Sequence, residues 1–137
     1  MGLILDSSVV IAAERRGTSV AGLIRFVFAT AGDQDAALSS VGLTEMVHGI
    51  YRAQSAAMRT RRESFIKELV RDLIVYPYTT ETALLAGKID GEQTARGVVI
   101  PFPDLLIGAT ALSLGFSVLT VNARHFRLIP NLQVIQL

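Results

Sequence analysis

The stretch "FPDLLIGATALSLGFSVLTVN", residues 102–122, reads as a helix and a strand placed back to back. Pro103 suits a helix start, where a missing N–H costs nothing, and Gly115 suits a helix stop. "SVLTV" (117–121) then reads as a short apolar strand bounded by polar and turn residues. Working outward, further strand signals fall at 2–5 ("GLIL"), 36–40 ("AALSS"), 73–76 ("LIVY") and 132–136 ("LQVIQ"). Helix-like stretches cover 8–15, 18–31, 43–55, 55–73, 79–97 and 102–115. Thr18 or Ser19 stands as a cap for the second of these, and a Thr cap with Glu81 close behind opens the fifth. In 55–73, Met58, Phe65, Ile66, Leu69, Val70 and Leu73 recur at helical spacing. Strands that alternate with helices, and that are apolar throughout, imply a parallel sheet covered on both faces. The expected fold class is α/β, a three-layer sandwich around a parallel sheet of four to five strands.

Composition narrows the function classes. The chain has 137 residues, half of them apolar and 18% charged, so a single domain over 1–137 with one sizeable core is expected and disorder is not. It has no cysteine, which removes disulfides and thiolate chemistry and fits a reducing, cytoplasmic compartment. No leader or membrane span is expected, because the first apolar run is interrupted by Asp6 and "VAGLIRFVFATA" (20–31) is short and contains Arg25. The net charge is +1, but nine of the thirteen Lys and Arg residues lie between Arg15 and Arg71. "RTRR" (59–62) is the densest cluster, and Arg124, His125 and Arg127 form a smaller one. Such patches either are solvated faces or meet phosphate backbones.

Three acids stand out by their apolar flanks. Asp6 follows "LIL", Glu45 follows "VGLT", and Asp104 sits between "VVIPFP" and "LLIGA". Each lies where a strand or loop passes into a helix, and Asn122 follows its strand in the same way. In open α/β sheets ligands bind at the carboxyl ends of the strands, where such transitions gather. Taken singly, each acid also suits a helix cap or a first helical turn. Taken together in one cleft they would repel, and a hard divalent cation, Mg²⁺ or Mn²⁺, would relieve that repulsion. Other chemistries find no support. There is no phosphate-binding glycine loop and no nucleophile elbow, and two histidines without cysteine make a poor zinc site.

"LILDSSVVIAAE", "LTEMVHGIYRA", "IPFPDLLIGATALSLGFSVLTVNARHF" and "LIPNLQVIQL" together resemble a PIN domain of the VapC-type toxins found in toxin–antitoxin pairs. The resemblance spans essentially the whole chain. It implies an endoribonuclease dependent on Mg²⁺ or Mn²⁺, with Asp6, Glu45 and Asp104 as metal ligands and catalytic acids. The fourth acidic position of the family falls on Asn122, a departure that removes one charge. Ser7 matches a supporting hydroxyl position and Thr120 another, whereas Ser8 replaces the usual Asn. Arg15, Arg16, Arg59, Arg61 and Arg62 are the candidates to hold the RNA backbone. His48 and His125 fall on no ligand position and read as structural. The resemblance also implies a VapB-type antitoxin as partner and a homodimer. The alternative is a PIN-fold module, weakened by Asn122, that binds RNA or a partner without cutting.

Overall fold

Gly2–Leu5 (β1) is buried along its whole length and occupies the middle of a five-stranded sheet, in which every pairing is parallel. The computed structural model describes residues 1–137. After β1 come α1 (Ser7–Arg15), α2 (Val20–Ala31), β2 (Asp35–Ser39), α3 (Ser40–Tyr51), α4 (Ala56–Asp72) and β3 (Ile74–Tyr76). Then follow α5 (Thr80–Ala95), α6 (Phe102–Leu114), β4 (Ser117–Thr120), α7 (Ala123–Phe126) and β5 (Val134–Gln136). The strand order is β3-β2-β1-β4-β5, so the winding reverses between β1 and β4. At such a reversal the two connections leave in opposite directions and a crevice opens beyond the strand ends. Register places Leu5 beside Leu119, so the chain leaves β1 at Asp6 next to the end of β4.

The expected three layers are present because alternate residues of each strand face opposite cores. Leu3, Leu5, Leu38 and Leu119 pack with α1, α2 and α4 on one face. Ile4, Ala37 and Val118 pack with α5, α6 and Phe126 on the other. Neither face of a central strand meets water, which is why these strands read as unbroken apolar runs. No helix is long and apolar enough to cross a membrane.

Local signals account for most boundaries. Ser19, not Thr18, caps α2 by accepting from the Gly22 N–H at 3.0 Å. Thr79 caps α5, and Gly115 ends α6 in the left-handed region (φ 71°, ψ 26°) that its lack of a Cβ permits. Two differences from the sequence reading bear on the site. Helix α3 begins at Ser40 rather than 43, because Ser39 leaves β2 and at once accepts from the Gly42 N–H at 2.9 Å. Helix α7 was not expected, since four residues are too few to show a period. The following segment comes close against α6: a Cβ at Gly108 would collide with Ile129.

Candidate active site

Asp6 takes the N-cap position of α1 with extended backbone (φ −65°, ψ 150°), yet its side chain makes no capping bond. Its Oδ2 instead accepts from Ser8 Oγ at 2.6 Å and from Thr120 Oγ1 at 2.9 Å. Asp6 is only 5% exposed, and two hydroxyl donors compensate much of its carboxylate's lost hydration. The same two hydroxyls accept backbone N–H groups, Thr120 from Asn122 at 2.9 Å and Ser8 from Val121 at 3.3 Å. The ends of β1 and β4 are thereby stitched together around one oxygen of Asp6.

Glu45 lies on the second turn of α3, because that helix starts earlier than the sequence suggested; a first-turn dipole role is therefore set aside. Its Oε1 accepts from Ser7 Oγ at 3.0 Å. Asp104 does fall in the first turn of α6, but it caps nothing, and its Oδ2 lies 2.9 Å from His125 Nδ1. A helix that leads into a parallel strand runs against it, so the start of α6 lies over the carboxyl end of the sheet. Asp6, Glu45, Asp104 and Asn122 consequently line one cleft. In each of the three carboxylates one oxygen is held by a protein donor and the other has none.

Burial raises the proton affinity of both outer acids. For Glu45 desolvation is the main cause, opposed by the Ser7 hydrogen bond and reinforced by the charges of Asp6 and Asp104. For Asp104 desolvation again leads, opposed by His125 and reinforced by Asp6. Both groups thus bind a proton more readily in the folded chain than in the unfolded one. Their protonated forms stabilise the fold fully below the ordinary carboxylate values of 4.5 and 3.8, and this contribution is lost as pH rises through the raised values. Glu45→Gln removes the charge while keeping an acceptor for Ser7. It should raise the melting temperature of the metal-free chain at neutral pH, by roughly a few degrees, and the gain should vanish near pH 4. A lower melting temperature at neutral pH would refute the crowding.

The donor set fits a hard divalent cation. The free atoms are all carboxylate oxygens, their residues line one cleft, and in two of the acids burial, reinforced by the neighbouring acids' charge, disfavours the ionised form. As the side chains stand, no three His, Asp or Glu groups are drawn close enough to form a ready cage.

The basic residues divide. Arg15 and Arg62 line a groove with His48 and Arg52, and this groove shares Ser7 and Glu45 with the acidic cleft. Arg61 and Arg15 border the recess beyond it. Arg62 is largely committed: Nη1 donates to the Gly49 carbonyl at 2.8 Å, and Nε lies 3.7 Å from Glu14. It ties α4 to α1 and α3 more than it reaches outward. Arg59 stacks over the Tyr51 ring at 5.6 Å. Arg16 lines neither the groove nor the cleft and borders a further recess with Leu23 and Phe26. His125 is corrected, from a structural residue to one that lines the cleft and touches Asp104. Ser8 gains a role that its departure from the family pattern had obscured. Arg124 and Arg127 line the opposite side of the cleft, where only the small basic cluster in the sequence had hinted at them.

The model of the PIN domain family matches residues 3–131. Ribonuclease VapC of Rickettsia bellii (strain RML369-C) is 33% identical over 135 residues, covering 98% of this chain and 96% of that protein. The tRNA(fMet)-specific endonuclease VapC of Salmonella typhimurium is 29% identical over 97 residues, 71% of each chain. Among solved structures, VapBC2 from Rickettsia felis, bound to a DNA fragment from their promoter, shares the fold with a TM-score of 0.85 at 20% identity, covering 100% of this chain and 99% of that one.

Proposed function

This chain belongs to the PIN domain family, and on that footing we propose that it is the endoribonuclease toxin of a toxin–antitoxin pair, cutting RNA with Mg²⁺ or Mn²⁺ held by Asp6, Glu45 and Asp104. The observation that carries the reading is the pattern of free oxygens: three carboxylates on one cleft, each pinned by a single protein partner or pair and each open at its other oxygen. When bound, the cation supplies charge neutralisation at the phosphate and a lowered pKa for the attacking water. Asp6 and Asp104 would hold it, and Glu45, with Oε1 taken by Ser7, would offer its free Oε2 to a second cation or to the attacking water. Asn122 orients water or phosphate through its amide. A phosphodiester is repelled by bare acids, so Arg15, Arg52 and Arg61 on one side and Arg124 and Arg127 on the other draw the RNA backbone across the cleft. The Rickettsia bellii relative is named a ribonuclease and the Rickettsia felis neighbour is a VapBC2 assembly, which supports an RNA substrate and a VapB-type antitoxin as partner. A homodimer belongs to the same proposal, and exposed Phe26, Phe28, Val99 and Phe102 leave apolar surface for such contacts.

The deciding experiment maps cleavage on total RNA and on a transfer RNA pool, with and without Mn²⁺, with Asp104→Ala as control. Specific cuts that need both the metal and Asp104 are expected. Cuts by the alanine variant, or none by the wild type, would overturn the reading. Millimolar Mn²⁺ should also raise the melting temperature, since saturation at ~100 times the dissociation constant adds about 2.7 kcal/mol. Arg15→Ala and Arg61→Ala should weaken RNA binding across sequences and lower the salt slope by about one each; Arg16→Ala should not.

A further inference from the structure

We infer that Arg124 and His125 are positioning residues of this cleft: Arg124 fixes which nitrogen of the His125 imidazole bears the proton, and His125 sets the Asp104 carboxylate so that its free oxygen serves the metal. The inference rests on the nuclease reading above and adds two residues to it.

Arg124 Nη2 stands 3.1 Å from His125 Nε2, and His125 Nδ1 stands 2.9 Å from Asp104 Oδ2. A guanidinium only donates, so Nε2 must accept. The ring proton is then on Nδ1, which donates to Asp104. Both ring nitrogens are engaged although the side chain is 33% exposed, which a merely solvated surface histidine would not require. The helix that carries the ring is also anchored. Ala123 and Phe126 of α7 are each 1% exposed and anchor that one-turn helix in the core, leaving His125 to face the cleft. Asp104 has no other side-chain donor, so without the ring its carboxylate is free to rotate.

The test compares the wild type with His125→Ala, His125→Asn and Arg124→Ala. Imidazole ¹⁵N NMR on the metal-free wild type should place the proton on Nδ1, and Arg124→Ala should mix in the other tautomer. Calorimetry with Mn²⁺ should show His125→Ala weakened about 10- to 100-fold, with kcat for RNA falling more than KM changes. The Asn amide N–H replaces Nδ1–H, so His125→Asn should recover most of the affinity. A proton on Nε2, an unmixed tautomer in Arg124→Ala, unchanged Mn²⁺ affinity in His125→Ala, or equal losses in the Ala and Asn variants would each overturn the inference. If either His variant fails to fold, the wild-type NMR decides. A wild type that binds no Mn²⁺ would bring down the nuclease reading and this one with it. A wild type that binds and cuts RNA while His125→Ala does so equally well would bring down this one alone.

Discussion

Asp6→Asn is expected to fold as the wild type does and to lose RNA cleavage by roughly 10³-fold or more, equivalent to about 4 kcal/mol of barrier. The amide is the same size as the carboxylate, and its carbonyl oxygen can still accept from Ser8 and Thr120, the two donors now on Oδ2. What disappears is the negative charge at the oxygen left free. The rival account, in which Asp6 is only a helix cap, predicts a stability cost of about 1 kcal/mol or less with cleavage intact. The structure already weakens that account, since the Asp6 side chain bonds to no backbone N–H of α1. Cleavage rates with Mn²⁺, set beside thermal melts of the same preparations, separate the two. Full activity in the variant would refute the metal role of Asp6.

Phe126→Ala should be the most damaging single core truncation for both stability and activity. The ring is 1% exposed and belongs to the core formed by α5, α6 and the underside of the sheet, with Ile107, Val118 and Ile129. Emptying that volume costs about 3–5 kcal/mol, a large part of the roughly 5–15 kcal/mol that holds a domain folded. A fall in melting temperature on the order of 10 °C or more follows. Activity should drop even well below the new midpoint, because the one-turn helix that Phe126 anchors presents Arg124 and His125 to the cleft. Phe126→Leu keeps most of the apolar volume and should be milder on both counts. A melting temperature within about 2 °C of wild type for Phe126→Ala would show that α7 is held by something else.

Much of this is legible in the sequence. Apolar runs such as "GLIL" and "SVLTV", short and bounded by polar or turn residues, read as strands buried on both faces, and with helices between them they imply the parallel three-layer architecture. Asp6, Glu45 and Asp104 were conspicuous because a carboxylate among apolar neighbours needs compensation. The strand–helix junctions and the likeness to PIN domains put them at one edge of the sheet. The basic residues were readable only as a class: sequence clustering at 59–62 grouped Arg59, Arg61 and Arg62, whereas folding sends Arg59 to an aromatic ring and Arg62 to a backbone carbonyl.

Partnership between distant residues was beyond reach. Ser8 and Thr120 meet on one oxygen of Asp6 although they are 112 residues apart, because the winding of the sheet reverses between β1 and β4. His125 reaches Asp104 across 21 residues only because a four-residue helix, too short for any periodic signal, is pinned by Phe126 beneath it. Residue type and local period follow from short-range sterics and burial, and these act along the chain. Which oxygen is held and which is left free depends on hydrogen bonds between elements that meet only once the sheet has formed.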